Sequence, residues 1–429
     1  MFLKRHSIPM LFARITIFIS TVIYAQEWVV YDSLNSCLPS NTVLCLTVDQ
    51  NDTKWIGTGS TGIAQLSDCG WNVFNTYNSS LLDDRIHGIA ADNAGEIWTG
   101  STGGGGLSHY DGNWSIYTTG NSELPHNMVM FIVVDDSIKW IGTNGGGLAK
   151  YDGSDWLIYN WTNSEIMDNY LHSMVIDNSG NLWIGTGGYG VVTFDGTSWT
   201  NFNASNSGIP QNTVRALCID QIGNIIAGTD GGLAIFNGST WVNYTTQNSG
   251  LFENRIYALT VDESNSIWIG TKGGGLVKYD GAVWQQYNQA NSPLPSDYIR
   301  ALNFDAGNNL WIGTATGGLA CMLLSTATSL NNMHQAPESF TLHQNYPNPF
   351  NPSTTLAYEL SEMGHVGVMV YDQTGRIVRT LVNQSQAPGS KSIRWDGCDE
   401  SGVKLSTGMY IYQVEVNGGV QSKKMVLLK

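Results

Sequence analysis

The chain has 429 residues, a formal net charge of −15, 42% hydrophobic residues and only 13% charged ones. It is long enough to bury substantial cores in more than one domain, and its acidic balance excludes nucleic acid as a partner, because phosphate contact needs a broad basic face. Forty-nine glycines and 15 tryptophans beside so few charges favour turn-rich β structure over solvent-facing helices.

Residues 1–25 read as an export leader. Lys4, Arg5 and Arg14 precede an apolar run from Ile15 to Ile23, and small Ala25 stands before Gln26. The run is too short to cross a bilayer, which takes roughly 20 residues. No later segment is long enough either, so export without a transmembrane anchor is expected.

The next feature is a repeat. The stretch "WIGTKGGGLVKYDGAVW", Trp268 to Trp284, sets a lysine beside three glycines as a phosphate-cradling loop would, but such a loop occurs once and these words recur. "WIGT" or a close variant begins at Trp55, Trp98, Trp140, Trp183, Ile226, Trp268 and Trp311, always 42 or 43 residues apart. A second series, Trp28, Trp71, Trp114, Trp156, Trp199, Trp241 and Trp284, keeps the same period. The glycines therefore read as turn punctuation, and no nucleotide site is expected.

Each unit resolves into four short strands. In the sixth they are A "RIYALTV", ended by Asp262, then B "SIWIGT", C "GLVKY" and D "VWQQY", separated by turns rich in Asp, Asn and Gly. A four-strand unit of about 43 residues is one blade of a β-propeller. The seventh unit stops after "WIGTATGGLACM" without a strand D, while "QEWVVY" (Gln26 to Tyr31) carries Trp28 in phase with the strand D series. The expected fold of residues 26–324 is therefore a seven-bladed β-propeller closed by its N-terminal strand, which leaves no open sheet edge.

The wording "GNLWIGTGGYGVVTFDG", Gly180 to Gly196, resembles the two-component regulator propeller repeats. That resemblance implies a propeller fold and a family in which such rings often serve as the extracytoplasmic sensor of membrane histidine kinases. A sensor component is accordingly one alternative function. Some propellers, the streptogramin lyases, perform eliminations with a histidine and a bound metal; a lyase using His126 or His172 is another.

Residues 325–338 read as a soft linker. Residues 339–429 then carry "NYPNPFNPSTTLAYEL", "VYDQTGRIVRTL", "WDG" at Trp395, "STGMYIYQV" and a terminal "SKKMVLLK", alternating runs that suit a small immunoglobulin-like β-sandwich. These motifs resemble the type A sorting domain of type IX secretion. The resemblance implies the type IX secretion machinery as partner, passage through periplasm and outer membrane, and a secreted or cell-surface destination. An immunoglobulin-like adhesion module is the alternative reading.

Propeller ligands commonly sit at a channel mouth, so the seven strands A are compared on the Asp that ends each: Asp49, Asp92, Asp135, Asp177, Asp220, Asp262 and Asp305. Six residues before it stand uniform apolar residues, Val43, Ile86, Val129, Leu171, Val214, Ile256 and Ile299. Seven before stand Thr42, Arg85, Met128, Tyr170, Thr213, Arg255 and Tyr298; five before stand Leu44, His87, Met130, His172, Arg215, Tyr257 and Arg300. Residues 26–336 carry 27 acidic and nine basic groups, a formal charge of −18, yet their only four arginines all occupy these two positions. The B to C loops, expected on the same face, add Asn144, Tyr189, Asp230 and Lys272.

The candidate ligand-binding set is therefore Arg85, His87, Asn144, Tyr170, His172, Tyr189, Arg215, Asp230, Arg255, Tyr257, Lys272, Tyr298 and Arg300. Guanidinium forks and aromatic faces suit an anionic or hydroxyl-rich molecule, a glycan or a protein. The competing reading is that Asp83, Asp84, Glu253 and Asp297, close to the arginines in sequence, pair with them and only tie loops together.

No catalytic constellation of Ser, His and Asp appears, and no cofactor or metal is expected: the seven hairpin Asp residues are explained by Asx turns. The six cysteines, Cys37, Cys45, Cys69, Cys218, Cys321 and Cys398, lack CxxC spacing and suggest at most one disulfide.

Overall fold

The computed structural model describes residues 27–67, 70–324, 340–343, 345–361, 363–372, 376–416 and 419–428. The expected leader, the linker and Cys69 lie outside these residues. All regular structure among them is β-strand, and the chain divides after Ser325 into two compact units. No helix among the described residues is long and apolar enough to cross a membrane.

The first unit consists of seven four-stranded antiparallel sheets. In blade 6, strand A is Ile256–Val261, B Ile267–Thr271, C Leu276–Tyr279 and D Trp284–Tyr287. Blades 1 to 5 repeat this order, with strands A at Val43–Val48, Ile86–Ala91, Val129–Asp135, Leu171–Ile176 and Val214–Ile219. Blade 7 takes A, B and C from Ile299–Phe304, Leu310–Thr314 and Leu319–Leu323, and its fourth strand is Glu27–Tyr31 from the other end of the chain. The register sets Trp28 opposite Met322 and Tyr31 opposite Leu319. The ring is closed.

The seam between blades 7 and 1 is welded beyond that ladder. Tyr31 stacks on Trp311 at 5.9 Å and meets Trp71 of blade 1 edge-on at 5.6 Å. Lys54 of blade 1 lies over the Trp311 ring and 3.6 Å from the Asp305 carboxylate of blade 7. Such contacts stabilise only a closed ring, because their partners are far apart in sequence.

Adjacent blades pack through the apolar residue six before each hairpin Asp, all of them buried. At six of the seven seams it presses on the glycine of the preceding blade's "WIGT" word: a Cβ at Gly313 would lie 2.5 Å from Val43 Cγ1, and one at Gly270 would lie 2.6 Å from Ile299 Cγ2, whereas Gly142 meets the Phe131 ring of its own blade. This glycine is therefore a close-approach residue. Turn punctuation holds for others in the repeat, such as Gly273 (φ +132°) and Gly275 (φ +78°).

The hairpin Asp residues form the Asx turns expected of them and do one thing more. In Asp262, one carboxylate oxygen accepts the backbone N–H of Ser264 and Ser266, and the other accepts the indole N–H of Trp268 at 3.0 Å. Asp49, Asp92, Asp177 and Asp305 hold Trp55, Trp98, Trp183 and Trp311 in the same way. Blade 3 departs because its hairpin is one residue shorter: Asp135 stays within the strand, and the buried Trp140 indole nitrogen has no acceptor among the described residues. Five cysteines among the described residues are free thiols.

The second unit pairs a three-stranded sheet (Phe340–Leu342, Thr354–Leu360, Gly389–Trp395) with a four-stranded one (Ile377–Gln386, Gly364–Tyr371, Gly408–Val416, Gly419–Leu427) over one apolar core. The "NPFNP" stretch holds the terminal strand. Phe350 is buried against Trp395, its backbone bonds Val426 and Leu428, and the Asn348 side chain accepts from Val426 N–H.

Candidate functional site

Two rows of residues share one face of the ring because the backbone ties them together. The first residue of each B to C loop donates its N–H to the carbonyl seven before its blade's hairpin Asp: Asn144 to Met128, Asp230 to Thr213, Lys272 to Arg255 and Ala315 to Tyr298, all at 2.9–3.1 Å. The row five before the Asp points inward. Leu44, His87, Met130, His172, Arg215, Tyr257 and Arg300, one from each blade, together line a single cavity of about 200 Å³.

The charged members form a continuous chain across the mouth. Asp230 receives a two-pronged pair from Arg215, at 2.5 and 2.9 Å, and lies 3.6 Å from Arg255. The guanidinium of Arg215 lies over the Tyr257 ring at 4.8 Å, and that of Arg300 over the same ring at 4.9 Å. Tyr257 in turn meets Tyr298 edge-on at 5.2 Å. Arg300 donates to the Tyr298 hydroxyl and to Nε2 of His87, each at 3.1 Å, while Nδ1 of His87 lies 3.2 Å from the Met130 carbonyl. Because a guanidinium offers only donors, Nε2 accepts from Arg300, and the His87 proton resides on Nδ1 and is donated to Met130.

The electrostatics follow from this geometry. Burial, reinforced by Arg300, pushes His87 down to about 4, so it is neutral at pH 7. Burial and the neighbouring Arg215 also lower His172, whose Nδ1 is buried without a partner among the described residues. Burial alone pushes Asp230 upward, but the Arg215 fork outweighs it and holds the carboxyl below its usual range.

The acids close in sequence to the arginines are engaged elsewhere. Asp83 accepts the backbone N–H of Arg85 and Gly103, Asp84 serves Thr76, Glu253 accepts the Arg255 N–H and Asp297 accepts that of Gln289. Among the described residues, Asp230 is the one carboxylate within ion-pair distance of any of the four ring arginines, and it serves Arg215 and Arg255. Arg85 and Arg300 face a second cavity of about 280 Å³ between blades 7, 1 and 2.

Not every expected residue joins this network. Tyr170 and Tyr189 stand on the rim of blade 4, about half exposed, with Tyr170 bridged through its backbone to Asn144. Lys272 is exposed and bridged likewise to Tyr298. Asp230 acts as counter-ion to arginines. Thr42, Gly59, Thr102 and Ala315, which line the second cavity, stand outside the expected set; the signal for them was their place in the same two rows and loops, where small residues leave space. Among the described residues, no cluster of three or more His, Cys, Asp or Glu could hold a metal ion.

Comparison with known proteins agrees on class. The family profile described as two component regulator propeller matches residues 165–188 and 250–273, which contain strands A and B and the start of the B to C turn of blades 4 and 6. The profile described as FlgD Ig-like domain matches residues 351–419. No curated protein matches the sequence. The fold is thus an all-β propeller of regulator-type repeats followed by an immunoglobulin-like unit.

Solved structures extend this. The extracellular domain of the putative hybrid two component system BT3049 from B. thetaiotaomicron superposes with a TM-score of 0.62 at 18% identity, over 94% of this chain and 57% of that one. PorZ, a bacterial surface component of the type-IX secretion system of Porphyromonas gingivalis, gives 0.57 at 20%, over 94% and 61%. Virginiamycin B lyase from Staphylococcus aureus gives 0.57 at 12%, over 70% of this chain and 99% of that one. At these identities the likeness is one of fold, and the chain spans about three-fifths of the first two structures.

Proposed function

We propose that this is a secreted or cell-surface recognition protein whose ring, residues 26–324, holds an anionic or hydroxyl-rich ligand at its arginine-lined mouth. A glycan is the ligand favoured, since planar guanidiniums and tyrosine faces bind sugar carboxylates, hydroxyls and ring faces together. The observation that carries the reading is that the ring's only four arginines gather at one mouth of an otherwise acidic body, two of them over Tyr257. Residues 1–25 act as leader and 325–338 as linker. Residues 339–429 act as a type IX sorting unit, a role supported by the "NPFNP" and terminal "SKKMVLLK" motifs.

The purified chain on an array of acidic and neutral glycans tests the first part. Binding that weakens in Arg215→Ala and Arg300→Ala supports it; signal on no glycan, or equal signal from both variants, removes it, and capture of a protein instead redirects it. For the second part, residues 339–429 fused to a reporter should carry it to the surface of a cell with type IX secretion. A reporter left in the periplasm contradicts that role.

A further inference from the structure

The charge at the mouth is unevenly compensated, and the unevenness selects a ligand. Arg215 and Arg255 share Asp230, whereas Arg85 and Arg300 line a cavity of about 280 Å³ whose walls contain no carboxylate among the described residues. We propose that this cavity, between blades 7, 1 and 2, is an oxyanion subsite that seats one carboxylate or sulfate group carried by a sugar, with Arg85 and Arg300 as its guanidinium donors. The inference rests on reading the mouth as a ligand site.

The space exists because small residues coincide there, Thr42 and Gly59 from blade 1 beside the loop residues Thr102 of blade 2 and Ala315 of blade 7. The residues of blade 1 in the two rows are Thr42 and Leu44, and its loop residue is Gly59, where a Cβ would come 2.7 Å from Thr42 Cγ2. The opening lets two guanidiniums from blades 2 and 7 face one volume. Arg300 is held in place by Tyr298 and His87, and its buried Nε has no acceptor among the described residues. The nearest acids in sequence are engaged elsewhere: beside Arg85, Asp83 accepts the N–H of Arg85 and Gly103 and Asp84 the N–H and hydroxyl of Thr76, and near Arg300, Asp297 accepts the N–H of Gln289. His87 adds no charge, since its Nε2 is an acceptor for Arg300. Two guanidiniums with no ion-paired carboxylate among the described residues, beside the apolar walls of Leu44 and Ala315, favour a mono- or divalent anion. The volume lies just under the roughly 300–1,000 Å³ of sites for whole small molecules, so it takes one charged group and its immediate carbons.

The test is calorimetric titration of the full chain with glucuronate, glucose 6-sulfate and glucose, in wild type, Arg85→Gln and a control, Lys150→Gln, whose lysine lies over Trp140 in blade 3. Arg85 is exposed and has no carboxylate partner among the described residues, so its substitution should leave the thermal midpoint unchanged. We expect glucose to bind at least about ten-fold more weakly than the better charged sugar. Arg85→Gln should weaken that charged sugar about ten-fold or more, and Lys150→Gln should leave it within about two-fold. Which charged sugar binds better identifies carboxylate or sulfate as the group seated. Undiminished binding in Arg85→Gln overturns the subsite, as does equal weakening in Lys150→Gln. If glucose matches the charged sugars and Arg85→Gln retains it, the mouth remains a sugar site and the oxyanion subsite falls; if the wild type binds none of the three, both fall.

Discussion

Arg300 of blade 7 donates a hydrogen bond to Nε2 of His87 in blade 2 at 3.1 Å, reaching past blade 1. Blade 1 offers only Leu44 at that level, so the side chains of its two neighbours meet in the channel. The contact is a through-space consequence of closure: 213 residues separate the partners in sequence.

Burial of the channel histidines, reinforced at His87 by Arg300 and at His172 by Arg215, gives the protein a measurable pH dependence. His87 falls from its ordinary 6.5 to about 4 in the folded chain, and His172 is lowered too. As pH drops below 6.5 the unfolded chain takes up these protons first, so stability is full above 6.5 and is lost progressively toward pH 4. The slope approaches about 1.4 kcal/mol per pH unit for each proton. Urea denaturation at pH 7, 6 and 5 should show it, and His87→Gln, which keeps an acceptor for Arg300, should flatten it. An identical slope in that variant contradicts the assignment.

Closure can be tested by covalent capture. Val29 stands opposite Cys321 in the antiparallel pair between the N-terminal strand and blade 7, and opposed residues place Cα atoms within the range that a disulfide spans. Under oxidation the Val29→Cys variant should therefore form a bridge to Cys321, seen as two thiols lost by mass spectrometry, and its thermal midpoint should rise. Thiols that stay free under oxidation would mean the strand does not pair there.

The blade interface predicts a coupled pair of substitutions. Gly313→Ala places a methyl group 2.5 Å from Val43 Cγ1, an overpacking expected to cost about 1–3 kcal/mol. Val43→Ala opens a cavity by itself, but the double variant should be more stable than the sum of the two costs implies. Additive costs in urea denaturation would show that the two side chains do not meet.

The ring was legible because its period is carried by tryptophans: Trp28, in phase with Trp284, marks the strand D that blade 7 otherwise lacks. The role of Gly313 was not legible. A glycine after Trp-Ile looks like any turn glycine until Val43, far away in the chain, is seen pressing on it. At the mouth, the rows holding Arg215, Tyr257 and Arg300 could be aligned from sequence, but their partners could not. Sequence proximity nominated Asp83, Glu253 and Asp297, whose carboxylates instead satisfy backbone N–H groups within their own loops or at nearby turns. Asp230 wins Arg215 because the B to C loop folds back beside strand A of its own blade, which only the hairpin geometry reveals.

The most direct test of the recognition account is amide hydrogen exchange of the full chain with and without a glycan that it binds. Protection should appear at the starts of the strands A, around Arg85–His87, Arg215, Arg255–Tyr257 and Tyr298–Arg300, and leave the opposite hairpins at Asp49, Asp177 and Asp262 unchanged. Protection confined to those hairpins, or to residues 340–428, would contradict it.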